Sequence, residues 1–370
     1  MVPQQYAIYK SILLISCAFL TTISAVGQEK RQRLLRDTLD NKFDVTHYLT
    51  DNIGVIPYVI PITEPAIGIG AVVGGVYFME KENQEERPDL LTAAVGLTEN
   101  SSWVVGGAYI GFWKKDRIRY RGVFGYTDLN LAFYGEEQNK IEFEARALVF
   151  SQELRFRIDD SPVFIGAKYG LDFVKIPIFE GGEEVDPIDL DLVNSGVTAI
   201  GEYDNLNNPF SPTNGLKVHF SYTQNWEALG STKNWGKFRF FSNWYGQQND
   251  RYIPALRLEA NLGTGQIPFY SRPFVDLRGI PALRYQGDLT LLVETEHTYN
   301  LDLRWGILAF GGLGIAYRDK TDWTDNSEAW NYGAGFRYLL SRGFGIKAGM
   351  DVARGPEDWA VYVTIGSSWL

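Results

Sequence analysis

"LRWGILAFGGLGIAYR", residues 303–318, is the stretch whose reading decides the fold class. Its odd positions hold Leu303, Trp305, Ile307, Ala309, Leu313, Ile315 and Tyr317. Its even positions hold Arg304, Gly306, Gly312, Gly314 and Arg318, with Leu308 and Phe310 as exceptions. Such alternation puts successive side chains on opposite faces of an extended strand. The pattern recurs. "EAWNYGAGFRYLL" separates Trp330, Tyr332, Phe336 and Tyr338 from Asn331, Gly333, Gly335 and Arg337. "GFGIKAGMDVAR" sets Phe344, Ile346, Ala348, Met350 and Val352 against Gly345, Lys347, Gly349 and Asp351, and "GLKVHFSYT" sets Leu216, Val218, Phe220 and Tyr222 against Lys217, His219, Ser221 and Thr223.

A soluble sandwich also alternates, but its strands average about 5–6 residues and its inner face is aliphatic. Here the segments run to ten residues or more, aromatics gather at their ends, and the second face is Gly, Ser and charge. Those are the features of a transmembrane β-barrel with a lipid-facing wall, aromatic girdles and a polar lumen. Cutting the chain at its turns gives sixteen strands: 53–62, 66–79, 89–98, 101–113, 118–134, 141–158, 161–177, 193–204, 214–225, 235–248, 251–266, 288–299, 302–318, 328–340, 343–353 and 358–370. An even number returns both ends to one side. The apolar phase slips near Tyr126–Leu129 and Leu148–Phe150, which predicts bulges or misplaced strand ends there.

Composition fits an exported protein. Of 370 residues, 10 are Trp, 21 Tyr and 38 Gly, and the net charge of −10 argues against a nucleic-acid partner. "KSILLISCAFLTTISAVGQEK" has a basic start at Lys10, an apolar run from 11 to 26, and small residues before Gly27, so residues 1–27 read as a signal peptide. Cys17, the single cysteine, lies inside it; Leu14-Ile15-Ser16-Cys17 also resembles a lipobox, although the apolar run continues past it. No later segment has the ~18–20 unbroken apolar residues of a membrane helix. The domain reading is a signal peptide (1–27), a short periplasmic segment (28–52) and an outer-membrane barrel (53–370). Residues 28–52 could form an amphipathic helix, a plug or a flexible tether.

One stretch interrupts the strands. "FVDLRGIPALRYQGD", residues 274–288, carries Arg278 and Arg284 between the eleventh and twelfth strands, on the side of the longer loops. Its placement, with Arg278-Gly279 at the centre, resembles the BamA/TamA outer-membrane assembly-factor superfamily, the bacterial surface antigen family. Asp204, Pro209, Pro212 and Gly215 in "YDNLNNPFSPTNG" resemble a periplasmic turn of that family, and "GAGFRYLLSRGFGIKAGMDVARG" resembles its paired strands near the C-terminus. The resemblance implies a barrel whose extracellular arginine loop folds into the lumen, and an activity in inserting or translocating proteins or lipids. There are two departures. Ile280 stands where relatives carry an aromatic, and the 25 residues from 28 to 52 cannot hold one of the family's periplasmic POTRA modules.

An arginine drawn into the lumen needs buried acceptors. Glu294, Glu296 and Asp351 fall on lumen faces and are the expected latch partners of Arg278; the resemblance adds weight to Asp351. The alternative is a solvated loop that binds lipopolysaccharide phosphates. Arg257, Glu259, Arg304, Arg337 and Lys347 add mixed charge to the lumen. The first strand contains Pro57 and Pro61, which cannot donate to a ladder, so its seam with a last strand carrying Tyr362, Gly366 and Trp369 is a candidate lateral gate. Protection of a strand end from mispairing would explain the prolines equally. The acidic run Glu180, Glu183, Glu184, Asp186, Asp189 and Asp191 lacks a calcium-loop pattern. Of the three histidines only His219 shares a lumen face with a nucleophile, Ser221, so no catalysis, cofactor or metal is expected. The expected partners are outer-membrane lipids, lipopolysaccharide and client barrel proteins, around a monomer; the competing reading is a passive channel or surface receptor.

Overall fold

A computed structural model describes residues 35–51, 55–79, 81, 87–134, 140–176, 179–180 and 190–369. Residues 1–27, the expected signal peptide, and most of the acidic run 180–191 lie outside the described residues.

The chain divides into two units, residues 1–53 with 340–344, and the remainder. In the smaller one, a turn closed by the Arg36–Phe43 bridge leads into a helix, α1 (Thr46–Asp51). Arg342 donates to both carboxylate oxygens of Asp37 at 2.5 and 3.1 Å, and its backbone N–H donates to Asp44 at 2.9 Å. Asp37 and Asp44 are both buried. A buried carboxylate needs such partners, and the bidentate guanidinium supplies them.

The larger unit is a transmembrane antiparallel β-barrel. Its sixteen wall strands are β1 (Val55–Glu64), β2 (Gly68–Met79), β3 (Asp89–Thr98), β4 (Trp103–Trp113), β5 (Ile118–Tyr134), β6 (Lys140–Arg157), β7 (Val163–Ile176), β8 (Leu190–Asp204), β9 (Asn214–Asn225), β10 (Trp235–Gly246), β11 (Tyr252–Gly265), β12 (Leu289–Asn300), β13 (Trp305–Tyr317), β14 (Asn326–Ser341), β15 (Ile346–Arg354) and β16 (Trp359–Ile365). A two-residue strand, Phe179–Glu180, adds to β6. Neighbours in sequence pair antiparallel from β1 through β14 and again from β15 to β16, and Asp351 on β15 meets Arg337 on β14.

The wall is inverted relative to a soluble protein. On β13, Trp305, Ile307 and Leu313 face outward and are exposed, while Leu308, Phe310 and Ala316 face inward and are buried. Trp305 meets Tyr338 at 4.8 Å near one rim, and Tyr332 meets Trp359 at 6.2 Å toward the other. A wall of exposed aliphatics edged by aromatics is stable only against lipid, where amphipathic rings sit at the interface.

Three sequence expectations are corrected. No bulge occurs at the phase slips: β5 and β6 keep one register from Ile118↔Phe156 to Tyr134↔Lys140. On the same two strands, Leu131, Phe143 and Ala145 turn apolar side chains inward, where they pack on the infolded loop. Arg304 is not in a strand; it sits in the turn before β13 and donates to the Leu339 carbonyl at 3.0 Å. The last strand also stops at Ile365, because Gly366 adopts a φ of 86° and turns the chain inward.

Candidate functional site: the arginine clasp and the seam

Residues 266–288 leave β11 and fold inward as an irregular hairpin. Val275 N–H donates to the Tyr285 carbonyl at 2.9 Å and Gly287 N–H to the Pro273 carbonyl at 3.0 Å, which holds the two arms together. Each arm buries an apolar face. Val275, Leu277, Ile280 and Tyr285 pack on Leu292, Ala316 and Ala329 of the wall. Across the lumen, Leu283 with Phe269, Tyr270, Phe274 and Ala282 packs on Phe143, Ala145, Val174 and Ile176. Room for this comes from the lumen-facing glycines of the opening stretch. A Cβ on Gly314 would stand 2.3 Å from the Val275 side chain, and one on Gly312 would stand 3.0 Å from Leu277.

Arg278 lies at the hairpin tip. Its Nε donates to Glu294 at 3.1 Å, and Nη1 reaches Glu296 at 2.9 Å, Asp351 at 3.0 Å and Ser368 at 3.2 Å. The guanidinium carbon is 3.5 Å from the centre of the Phe310 ring. Glu294 and Asp351 are fully buried. Burial alone would lower the pKa of Arg278, but Glu294, Glu296 and Asp351 more than offset it and hold the charge above its ordinary value. The lumen thus holds a charge cluster without bulk water, and each member has further partners. Asp351 also takes Arg337 at 2.5 and 2.8 Å; Glu294 also takes Asn331 at 3.0 Å and Trp369 at 2.7 Å. Arg257 joins Glu259 at 2.7 Å and the Asp276 side chain at 3.2 Å.

Gly279 follows with φ 87°, a conformation that disfavours any side chain. It lies back to back with Gly355: a Cβ on Gly279 would be 2.9 Å from the Gly355 nitrogen. Ile280, at the position of the missing aromatic, is buried in the apolar cluster instead.

The seam residues distribute differently from the expectation. Pro57 and Pro61 lie on β1, in register with Gly75 and Ala71 of β2. Tyr362 on β16 points to the loop and accepts the Gly279 N–H at 2.8 Å. Trp369 does not line the seam. Past the bend at Gly366 it enters the lumen, donates to Glu294 and lies 5.9 Å from the Tyr245 ring. The seam itself is bare: β1 and β16 touch, yet among the described residues no ladder joins them, and Val363 N–H reaches only the Thr63 hydroxyl at 3.4 Å. The loop ties both edges, since the Ala282 N–H donates to Glu64 of β1 at 3.4 Å while Gly279 binds Tyr362.

Glu64, Phe310, Asn331 and Trp369 were not read from sequence as partners of the loop. Phe310 had left a trace, as one of two residues breaking the alternation; the others sat on plausible lumen positions with nothing to single them out. Of the histidines, His219 contacts Glu202 at 3.2 Å and stacks on Phe241, while His297 lies against Tyr252 at 2.7 Å.

No protein-family model matches the sequence, and a search of curated proteins finds no match. Solved structures do match. BamA from Haemophilus ducreyi lacking POTRA domains 1–3 aligns with a TM-score of 0.60 at 11% identity, over 92% of this chain and 82% of that one. CdiB from Escherichia coli aligns at 0.57 and 11%, over 84% and 61%; CdiB from Acinetobacter baumannii gives 0.57 and 11%, over 84% and 59%. The chain therefore spans about three fifths of the CdiB chains. At these identities the likeness is one of fold: the barrel resembles those of BamA and CdiB.

Proposed function

We propose that the protein resides in the bacterial outer membrane and assists proteins or lipids to insert into or cross it, by opening between β1 and β16. One observation carries this reading: among the described residues the two seam edges share no ladder, and the infolded loop binds each of them instead. Each ordinary strand pair is held by a row of backbone hydrogen bonds, so the seam is the weakest line of the wall. A clasp of two hydrogen bonds and an ion cluster can hold such a line shut and yet release it without unfolding the barrel. Arg278 couples the loop to β12 and β15, while Gly279 to Tyr362 and Arg278 to Ser368 couple it to the strand that must move and the tail beyond it. The clients in this reading are barrel proteins or lipids at the membrane plane, with lipopolysaccharide and phospholipid as surroundings.

A passive channel would need an open lumen. Here two apolar clusters of the loop and the charge network occupy it, which favours a gated wall over a steady pore. Neither catalysis nor a cofactor enters this reading.

The test is a disulfide across the seam from Thr63→Cys and Val363→Cys. In a deletion strain, the oxidised pair should fail to restore the outer-membrane proteome and lipid asymmetry, and reduction should rescue it. Full complementation by the oxidised form would overturn the reading, and a large steady conductance in planar bilayers would establish the channel in its place.

A further inference from the structure

The loop clasp accounts for one side of the lumen, but a second cluster of charge lies apart from it, at the turns on the opposite rim. Asp116 sits in the β4–β5 turn, Arg119 at the start of β5, Arg157 at the end of β6, and Asp204 and Lys217 on β8 and β9. With Arg87, Leu206 and Pro209 they line a cavity of about 150 Å³. Its lining carries four cations, Arg87, Arg119, Arg157 and Lys217, and two carboxylates, with a third, Glu202, 3.9 Å from Arg119 at its edge, so positive charge is in excess.

The geometry is that of a built site. Asp116 takes Arg119 twice at 2.8 Å and Arg157 at 2.5 Å, so its capacity is spent on fixing these two guanidiniums. Arg119 also reaches Asp204 at 3.3 Å. Both arginines lie over the fully buried Phe164 ring, at 4.0 and 4.9 Å. Their planes are thereby held on a rigid aromatic floor before anything binds. Two features stay uncompensated. Among the described residues, Arg87 and Lys217 have no carboxylate within ion-pair distance, and the buried Arg157 Nε has no partner. Clustered like charges repel, and an anion would relieve that repulsion. Fixed guanidinium forks beside a free ammonium are suited to a tetrahedral oxyanion, since each fork presents paired donors.

We propose that this cavity binds a phosphate group, free or as the headgroup of a phospholipid, through Arg87, Arg119, Arg157 and Lys217. It lies inside the barrel mouth on the rim opposite the arginine loop, since Lys217 shares its lumen face with His219 and both arginines lie over the buried Phe164. The site is independent of the clasp and of the seam, and it would stand if the insertion reading failed.

The experiment uses the full chain in non-ionic detergent, with Arg87→Gln and Lys217→Gln singly and together. Neither substitution removes an ion pair that holds the wall, so the temperature at which the folded band is lost on unheated gels should not fall. Inorganic phosphate, titrated calorimetrically against chloride of equal ionic strength, should bind saturably to the parent. The double variant should bind at least about tenfold more weakly, one charge contact being worth that much or more. Dihexanoyl phosphatidylglycerol supplies the second arm: competition with phosphate identifies a lipid headgroup as the source, and its absence identifies free phosphate. Phosphate heat indistinguishable from chloride, or equal affinity in parent and double variant, would overturn the proposal.

Discussion

Removing the Arg278 side chain tests the clasp most directly. Arg278→Ala deletes the one cation shared by Glu294, Glu296 and Asp351, two of which are fully buried. Breaking a buried ion pair by removing one partner costs about 3–5 kcal/mol, because the other charge stays buried and uncompensated. The structure places the expected loss toward the lower half of that range. Asp351 keeps Arg337 in a bidentate pair, and Glu294 keeps Asn331 and Trp369; only Glu296, which is less deeply buried, loses its sole cation within hydrogen-bond reach. The stacking of the guanidinium on Phe310 adds about 0.5–2 kcal/mol for a desolvated pair. An overall cost of about 3.5–6 kcal/mol follows. The assay is reversible urea unfolding in lipid vesicles, followed by tryptophan fluorescence, with protease sensitivity of residues 266–288 as a local readout. Asp351→Asn in the same background completes a cycle, and a coupling above about 0.5 kcal/mol marks direct contact. A loss within about 0.5 kcal/mol of the parent, the range of an ordinary surface substitution, would refute the clasp.

Arg278→Lys should recover only part of that stability in the same assay, since a point charge cannot address three carboxylates and stack on a ring together. Gly314→Val should expel the loop: the new Cβ falls 2.3 Å from Val275, an overpacking cost of about 1–3 kcal/mol, and limited proteolysis should then cut at 266–288 while the barrel persists. Trp369→Phe keeps the ring but leaves Glu294 short of a donor, so about 1.5–3 kcal/mol should be lost on unfolding in urea. Asp116 gives a pH signature. Burial would raise its pKa, but Arg119, with Arg87 and Arg157, outweighs that and holds it below 3.8. A depressed carboxylate stabilises the fold above its unfolded value and loses that contribution as pH falls through the folded one. The midpoint of heat-modified gel migration should therefore drop below pH 3.8 in the parent and change less in Asp116→Asn.

The period-two alternation by itself determined the barrel, its sixteen strands and their faces, because lipid outside and water within leave each strand position a single favourable polarity. It also marked Glu294, Glu296 and Asp351, since a charge on a lumen face must find an opposite one; Arg278 as their partner came from the resemblance of its loop, not from periodicity. It misread places where that rule was suspended. At Tyr126–Leu129 and Leu148–Phe150 periodicity pointed to bulges or misplaced strand ends, yet the register is unbroken; only the folded chain shows that Leu131, Phe143 and Ala145 on the same two strands pack on the loop. Phe310 is the same case, an inward aromatic that serves as the floor for a guanidinium. The C-terminal bend could not be anticipated either, because Gly366 permits a turn without dictating its direction, and Trp369 reaches Glu294 only once β12 is in place. The lack of a β1–β16 ladder among the described residues is likewise a property of closure. Whether two edges separated by the whole chain meet in register depends on the geometry of every strand between them, and no local pattern encodes that.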